Sequence, residues 1–150
     1  MITTLRANIR DLDALAVLFN AYRTFYRQVS DIAVARAFLR ERLQNNESVI
    51  FLARVVSSNE ALGFIQLYPS FSSVAARRTW ILNDLFVKPD ARRRGIARAL
   101  MACARAHATE SKAPNLTLET ADDNTAAHTL YESLGYVREV GTRRYLLMLE

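Results

Sequence analysis

The sequence predicts one α/β domain in which a mixed sheet is covered by helices on both of its faces. Three observations lead to this prediction. Two stretches near the N-terminus repeat apolar residues at helical spacing, β-rich runs follow between residues 49 and 87, and helical and β-rich segments then alternate to the end. The length of 150 residues suits a single domain over 1–150.

The first two elements are predicted to be helices. Asp11 can cap a helix that runs to about Tyr26, and Ser30 or Asp31 can start a second one that ends near Gln44. Each has an apolar stripe at the helical period. The stripes are Leu12, Leu15, Ala16, Phe19, Tyr22 and Tyr26 in the first, and Ile32, Ala35, Leu39 and Leu43 in the second.

Three strands are predicted next. Residues 49–56 and 62–68 flank a polar turn at 57–60, which is typical of an antiparallel hairpin. Pro69 is expected to end the second strand, and a serine-rich loop then reaches Arg78. A third strand is expected at 79–87, before Pro89.

The C-terminal half is predicted to alternate helix and strand. A helix opens at Gly95 and ends before Pro114, and a short strand follows at 116–120. Asn124 can cap a last helix that closes at Gly135. Residues 136–140 and 143–149 are predicted to form a final hairpin.

The composition limits the class of protein. No apolar run approaches the ~20 residues of a membrane span, and residues 1–10 lack the apolar core of a signal peptide. Cys103 is the only cysteine, so no internal disulfide can form and a reducing compartment is expected. With one cysteine and two histidines we expect no metal site, and we expect a cytoplasmic address with no membrane partner.

The most informative segment is a strand, a basic turn and a helix that opens at glycine, over residues 83–97. The free N–H groups and positive dipole end of such a helix form an anion site. Gly95 and Ala97 leave room for a diphosphate to approach the backbone, and arginines surround it. A solvated basic face is the alternative for this charge. The segment is neither a Walker A loop nor a dinucleotide fingerprint, because the required lysine and glycines are missing.

This segment closely resembles the pyrophosphate signature of the GNAT (GCN5-related N-acetyltransferase) superfamily, Arg/Gln-x-x-Gly-x-Gly/Ala. Arg92, Gly95 and Ala97 match the signature, and Val87 and Pro89 match the strand end that precedes it. A second family element lies at the expected distance. It comprises Asn124, Ala127, Leu130, Tyr131, Leu134, Gly135 and Tyr136.

The resemblance implies a mostly antiparallel sheet with a splay between its central parallel strands, and acetyl-CoA as co-substrate without a metal. It implies that main-chain groups of Leu85, Phe86 and Val87 hold pantetheine, that Asn124 contacts the pantetheine arm and that Tyr131 protonates the departing thiolate. It also assigns the pyrophosphate to the amides of the basic turn and helix start, which are those of Arg92, Arg93, Arg94, Gly95, Ile96, Ala97 and Arg98.

Asp84 is the leading candidate for a catalytic carboxylate. It lies within an apolar strand, where an unpaired carboxylate is costly to bury, so it is suited to bind a cationic amine or to relay its proton. Alternatively, it caps a bulge or pairs with an arginine. Tyr26 and, as a weaker candidate base, Glu119 complete the expected acceptor site. Many relatives have a glutamate in the strand equivalent to Thr79–Val87, and in some of them it lies beside the aspartate, where this chain has Asn83, which leaves the identity of the base open.

The expected activity is transfer of acetyl from acetyl-CoA to a small primary amine or polyamine, by direct attack in a ternary complex. The alternatives are a protein lysine acetyltransferase and a non-catalytic acetyl-CoA-binding module. The net charge of +5 also suggests a nucleic-acid-binding module, but no recognition helix or RNA-binding aromatic motif is present, so we expect no nucleic-acid partner. A homodimer is compatible with the family.

Overall fold

The computed structural model describes residues 1–150 of the chain. It contains five strands and four helices. The strands are β1 (Ile2–Arg6), β2 (Val49–Val55), β3 (Ala61–Ser72), β4 (Arg77–Val87) and β5 (Leu116–Leu118). The helices are α1 (Leu12–Phe25), α2 (Ile32–Gln44), α3 (Ile96–Glu110) and α4 (Thr125–Ser133), with 3-10 turns at Ile9–Asp11 and Pro89–Ala91. None of the four helices has the length and apolar character that crossing a bilayer requires.

Contacts divide the chain into two units, Met1–Glu119 and Thr120–Glu150. The first unit contains the sheet, in the order β1-β2-β3-β4-β5. The pairs β1-β2, β2-β3 and β3-β4 are antiparallel, and β5 pairs with β4 in parallel. The second unit contains α4 and the C-terminal residues.

Helices cover both faces of the sheet, as predicted. Leu15 and Phe19 of α1 and Leu39 of α2 belong to one core cluster with Leu52 and Phe64. Neighbouring side chains of a strand point to opposite faces. Phe51 therefore faces the other side, where its ring lies 6.1 Å from that of His107 on α3.

The pairing between β4 and β5 is short, and this opens the sheet at one end. Only Trp80, Ile81 and Leu82 have partners on β5, because β5 ends at Leu118. The remaining part of β4, through Val87, continues to pair with β3 alone. β4 and β5 are thus the parallel pair that the family resemblance implies, with β5 at the edge of the sheet.

A β-bulge in β4 determines where Asp84 points. Leu82 pairs with Leu67 and Asp84 pairs with Gln66, so Asn83 is an extra residue on its strand. In a regular strand, residues 82 and 84 would share a face. The extra residue instead places Asp84 on the face that α1 covers, which is also the face of Phe86.

Several predicted elements are confirmed. Asp31 caps α2 by accepting a hydrogen bond from the N–H of Val34 at 3.1 Å, and Asn124 caps α4. Asp11 precedes α1 as expected, but its side chain does not cap that helix. It instead accepts from the N–H of Asn8, whose own side chain caps the 3-10 turn before α1.

Three predictions were wrong. β1, which pairs with β2 at the sheet edge, was not predicted. Pro69 does not end β3: it pairs with Trp80 beyond the last residue of β3 that pairs with β2, so its lack of an N–H costs no second ladder bond. Residues 136–150 contain no strand, and the apolar side chains that follow Tyr136 are exposed. A two-stranded ribbon without a third partner is only marginally stable, so a turn signal at Gly141 does not suffice.

His107 makes stability dependent on pH. Its ring packs 4.7 Å from that of Trp80, and burial, followed by the charge of Arg6, lowers the pKa of His107. The unfolded chain therefore binds a proton near pH 6.5 that the folded chain does not bind, so stability falls as the pH drops below about 6.5. We expect the Tm of His107→Gln to fall less than that of the wild type between pH 7.5 and 5.5. His128→Gln is the control, and equal slopes for wild type and His107→Gln would contradict this assignment.

Candidate active site

Asp84 is a buried carboxylate whose hydrogen-bonding partners are neutral. It is 5% exposed. The Gln66 amide donates to Asp84 Oδ2 at 2.7 Å, and the Asn83 amide donates to Oδ1 at 3.2 Å. The Tyr22 hydroxyl of α1 is a third donor. A buried charge is usually paired with an opposite charge, so the absence of a cation among these donors marks Asp84 as a functional candidate.

Two tyrosines face this carboxylate. Burial, then the charge of Asp84 and the hydrogen bond to it, raise the pKa of Tyr22 above its ordinary value. Burial, followed by the charge of Asp84, raises the pKa of Tyr68 to about 12. Both hydroxyls therefore stay protonated at neutral pH, and Tyr22 remains a hydrogen-bond donor to Asp84.

Aromatic rings surround Tyr22. Its ring lies 5.8 Å from that of Phe64, 6.1 Å from that of Phe86 and 4.9 Å from that of Tyr26. Tyr26, predicted to bind the acceptor, is 54% exposed, so this aromatic cluster extends from the buried carboxylate to the surface. The first unit thus brings Asp84 and Tyr26 together through Tyr22. Glu119 is exposed and follows β5.

The alternatives for Asp84 are partly settled by this geometry. No arginine forms an ion pair with it, so the arginine pairing is not observed. The bulge is real, and the Asn83 side chain bonds Asp84 across it. The bulge explains the orientation of Asp84. It does not explain why a buried carboxylate has only neutral hydrogen-bond donors around it.

The basic turn has the geometry of an anion site. Arg93 and Gly95 both adopt positive φ angles, 63° and 78°, which bring the chain from the 3-10 turn into α3. The first N–H bonded within α3 is that of Ala99, which donates to the Gly95 carbonyl at 3.1 Å. The amides of Ile96 and Ala97 therefore lie at the positive end of the helix dipole. A Cβ at Gly95 would meet no atom within 4 Å, so open space lies beside the turn.

The arginines of this turn differ in their surroundings. Arg93, Arg94 and Arg98 are exposed. Arg92 is exposed as well, but its side chain also donates from Nε to the Val87 carbonyl at 3.0 Å. Its guanidinium lies 5.7 Å from the ring centroid of Phe25 and 5.9 Å from that of Phe86. The Arg92 side chain therefore connects the turn to the end of β4 and to the aromatic cluster, which the sequence did not indicate.

The end of β4 has an unpaired main chain on one side, just before the basic turn. Leu85, Phe86 and Val87 lie beyond the pairing with β5, so on that side their main chain has no neighbouring strand. The basic turn follows directly. A strand edge without a partner and a helix N-terminus suit the amides and the diphosphate of CoA, respectively.

The second unit contains Asn124 and Tyr131. Asn124 Oδ1 accepts from the N–H of Ala127 at 3.3 Å, and Gly135 ends the helix region with a φ of 94°. Tyr131 is half-buried, and its ring lies 6.1 Å from that of Tyr136. The second family element thus forms one local capped helix.

Sequence reasoning missed Gln66 and Tyr68. The signal for Gln66 was available, because it is the one polar residue in the apolar run of residues 61–68 other than Tyr68 itself. No group of three or more His, Cys, Asp or Glu side chains is placed to hold a metal ion.

Comparison with known proteins agrees with this geometry. The acetyltransferase (GNAT) family matches residues 15–136. The uncharacterized N-acetyltransferase YhfO of Bacillus subtilis (strain 168) is 48% identical over 142 residues, covering 95% of this chain and 94% of the relative. A crystal structure of a probable acetyltransferase superposes with a TM-score of 0.94 at 40% identity, covering 99% of this chain and 98% of the other.

A third relative shares the fold at lower identity. The aminoglycoside N-acetyltransferase AAC(6')-Iy, solved in complex with CoA, has a TM-score of 0.80 at 20% identity and covers 100% of this chain and 95% of its own. The chain is an acetyltransferase. It belongs to the GNAT family, whose acetyltransferases use acetyl-CoA.

Proposed function

We propose that the acceptor is a small primary amine, and that the amine attacks the thioester directly in a ternary complex. The observation that supports this most is the buried carboxylate of Asp84, whose donors are all neutral, beside the free end of β4. A protonated amine would supply the missing positive charge. The aromatic rings of Tyr22 and Tyr26 favour an organic cation as the occupant.

The chemistry requires removal of a proton from the amine. An alkyl ammonium ion with a pKa near ~10.4 is deprotonated at pH 7 at a cost of roughly 4–5 kcal/mol. Asp84 accepts this proton, directly or through a water molecule, and the neutral nitrogen then attacks the acetyl carbonyl. The C–N bond forms as the C–S bond breaks, and CoA leaves as the thiolate or thiol.

The co-substrate lies along β4 and the basic turn in this proposal. Main-chain groups of Leu85, Phe86 and Val87 bind pantetheine and polarise the acetyl carbonyl. The amides from Arg92 to Arg98 bind the diphosphate, and the exposed arginines add charge. Asn124 contacts the pantetheine arm.

The acceptor is tested by measuring CoA-thiol release with acetyl-CoA and an amine panel. The panel contains polyamines, amino acids, aminoglycosides and basic peptides, and an acetyl-CoA-only reaction is the blank. Fast turnover of one small amine supports the proposal. Turnover of lysine peptides alone would identify a protein acetyltransferase, and acetyl-CoA binding with no turnover would favour the non-catalytic module.

Tyr131 is proposed to protonate the CoA thiolate. A thiol with a pKa near ~8.5 is already a tolerable leaving group, so acid catalysis contributes at most roughly 10²–10⁴-fold. We therefore expect Tyr131→Phe to lower kcat within this range while the KM for the amine changes little. Tyr145→Phe, at a position that is 86% exposed, is the matched control. An unchanged kcat for Tyr131→Phe would remove Tyr131 from the mechanism.

A further inference from the structure

Gln66 is a fully buried polar side chain on the mostly apolar strand β3. It is 0% exposed, and its neighbours Ile65 and Leu67 on β3 are equally buried. It pairs directly with Asp84 across β3 and β4. Burial of a primary amide is costly unless its hydrogen-bonding groups find partners, so its position requires an explanation.

The amide of Gln66 donates a hydrogen bond to Asp84, but its own oxygen has no partner. Its Nε2 donates to Asp84 Oδ2 at 2.7 Å, whereas its Oε1 is buried and has no hydrogen-bond partner. The reverse amide orientation would place two acceptor oxygens against each other, so the carboxylate fixes the orientation. One buried acceptor is thus left unsatisfied while a strong donor is presented to Asp84.

We propose that Gln66 is a positioning residue for acetyl transfer, which stabilises the charged form of Asp84 and directs its Oδ1 towards the acceptor amine. The proposal rests on the function proposed above for Asp84. Oδ2 is held by the short bond from Gln66. Oδ1 accepts the longer bond from Asn83, at 3.2 Å, and the bond from the ammonium group is assigned to this oxygen.

Other groups face the same carboxylate. Tyr22 faces it from α1 and Tyr68 faces it from β3. Each tyrosine also interacts electrostatically with a second group, Tyr22 with Tyr26 and Tyr68 with Arg42 of α2. Burial and the charge of Asp84 raise the pKa of both Tyr22 and Tyr68, so neither loses its proton between pH 5 and 8. Gln66 does not titrate. A change in the acidic limb of the pH profile after substitution of Gln66 therefore reports on the carboxylate.

Gln66→Leu and Gln66→Glu test this role, with Gln44→Leu as the exposed control. Leucine has a similar volume and removes the donor. We expect kcat/KM for the amine to fall about 10-fold, and the acidic limb of its pH profile to move to higher pH, because a donor that favours the charged carboxylate is lost. The KM for acetyl-CoA and the Tm should change little. Glutamate places a second carboxylate beside Asp84, so the limb should move further.

Two outcomes would overturn the inference. If Gln66→Leu lowers the Tm but leaves the pH profile in place, Gln66 supports the fold only. If Gln66→Glu leaves the acidic limb unchanged, the two groups do not interact during turnover. The variant Asp84→Asn distinguishes a failure of the Gln66 inference from a failure of the function proposed for Asp84. Full activity of that variant removes Asp84 from the mechanism, whereas a defect there together with an unmoved limb in the Gln66 variants overturns the Gln66 inference alone.

Discussion

Replacement of Asp84 by asparagine is expected to lower kcat/KM for the amine by roughly 10²–10⁴-fold, the usual contribution of a general base. Asparagine keeps the shape of the side chain, and its Oδ1 can still accept the bond that Gln66 donates. The fold should therefore persist, and the Tm should change little. What is lost is the negative charge that attracts the ammonium ion and accepts its proton.

The pH dependence distinguishes a base from a simple binding group. Without a base, turnover depends on amine that is already deprotonated in solution, so the activity of Asp84→Asn should rise about tenfold per pH unit up to the pKa of the amine near ~10.4. If Asp84 only binds the ammonium ion, the KM for the amine should rise in Asp84→Asn and kcat should stay unchanged. Asp90→Asn is the matched control, because Asp90 is exposed and lies in the turn just after β4.

Much of the secondary structure could be predicted because periodicity and turn residues determine it locally. Asp31 and Asn124 cap helices as their residue types predict, and α3 begins immediately after the glycine of the basic turn. β1 was missed because it is short and its burial alternates poorly. Its stability comes from pairing with β2, which is distant in the sequence.

The surroundings of Asp84 could be predicted only in part. A carboxylate in an apolar strand was visible in the sequence, but the face it occupies depends on the bulge at Asn83. The bulge is a property of the register between two strands, and no residue type predicts it. Tyr22 was expected to belong to the buried stripe of α1. Its ring is indeed packed on Phe64 and Phe86, and its hydroxyl additionally bonds Asp84.

The arginines show a similar limit. A run of three arginines predicts a basic surface, and all three are exposed. The sequence does not show that Arg92 turns back to the Val87 carbonyl, because that bond depends on the path of the turn after β4. A positive φ at Arg93 is part of that path and is unusual for a residue with a side chain.

Replacement of Gly95 by alanine is expected to raise the KM for acetyl-CoA at least about 10-fold, equivalent to about 1.4 kcal/mol of binding free energy. The φ of 78° at Gly95 is unfavourable for alanine by about 1–2 kcal/mol. The new Cβ would project into space that is otherwise open, beside the amides of Ile96 and Ala97. A diphosphate that approaches these amides would meet the methyl group.

Gly141→Ala is a matched control for backbone strain. Gly141 has a φ of 88° and also has open space at its Cβ, so both variants should lose about 1–2 kcal/mol of stability. Only Gly95→Ala should weaken acetyl-CoA binding, which calorimetry measures directly without an acceptor. Equal affinities for the two variants would mean that the diphosphate does not approach the backbone at Gly95. The exposed arginines would then account for binding through charge alone, and the affinity would fall steeply with salt, because interactions between exposed charges are screened.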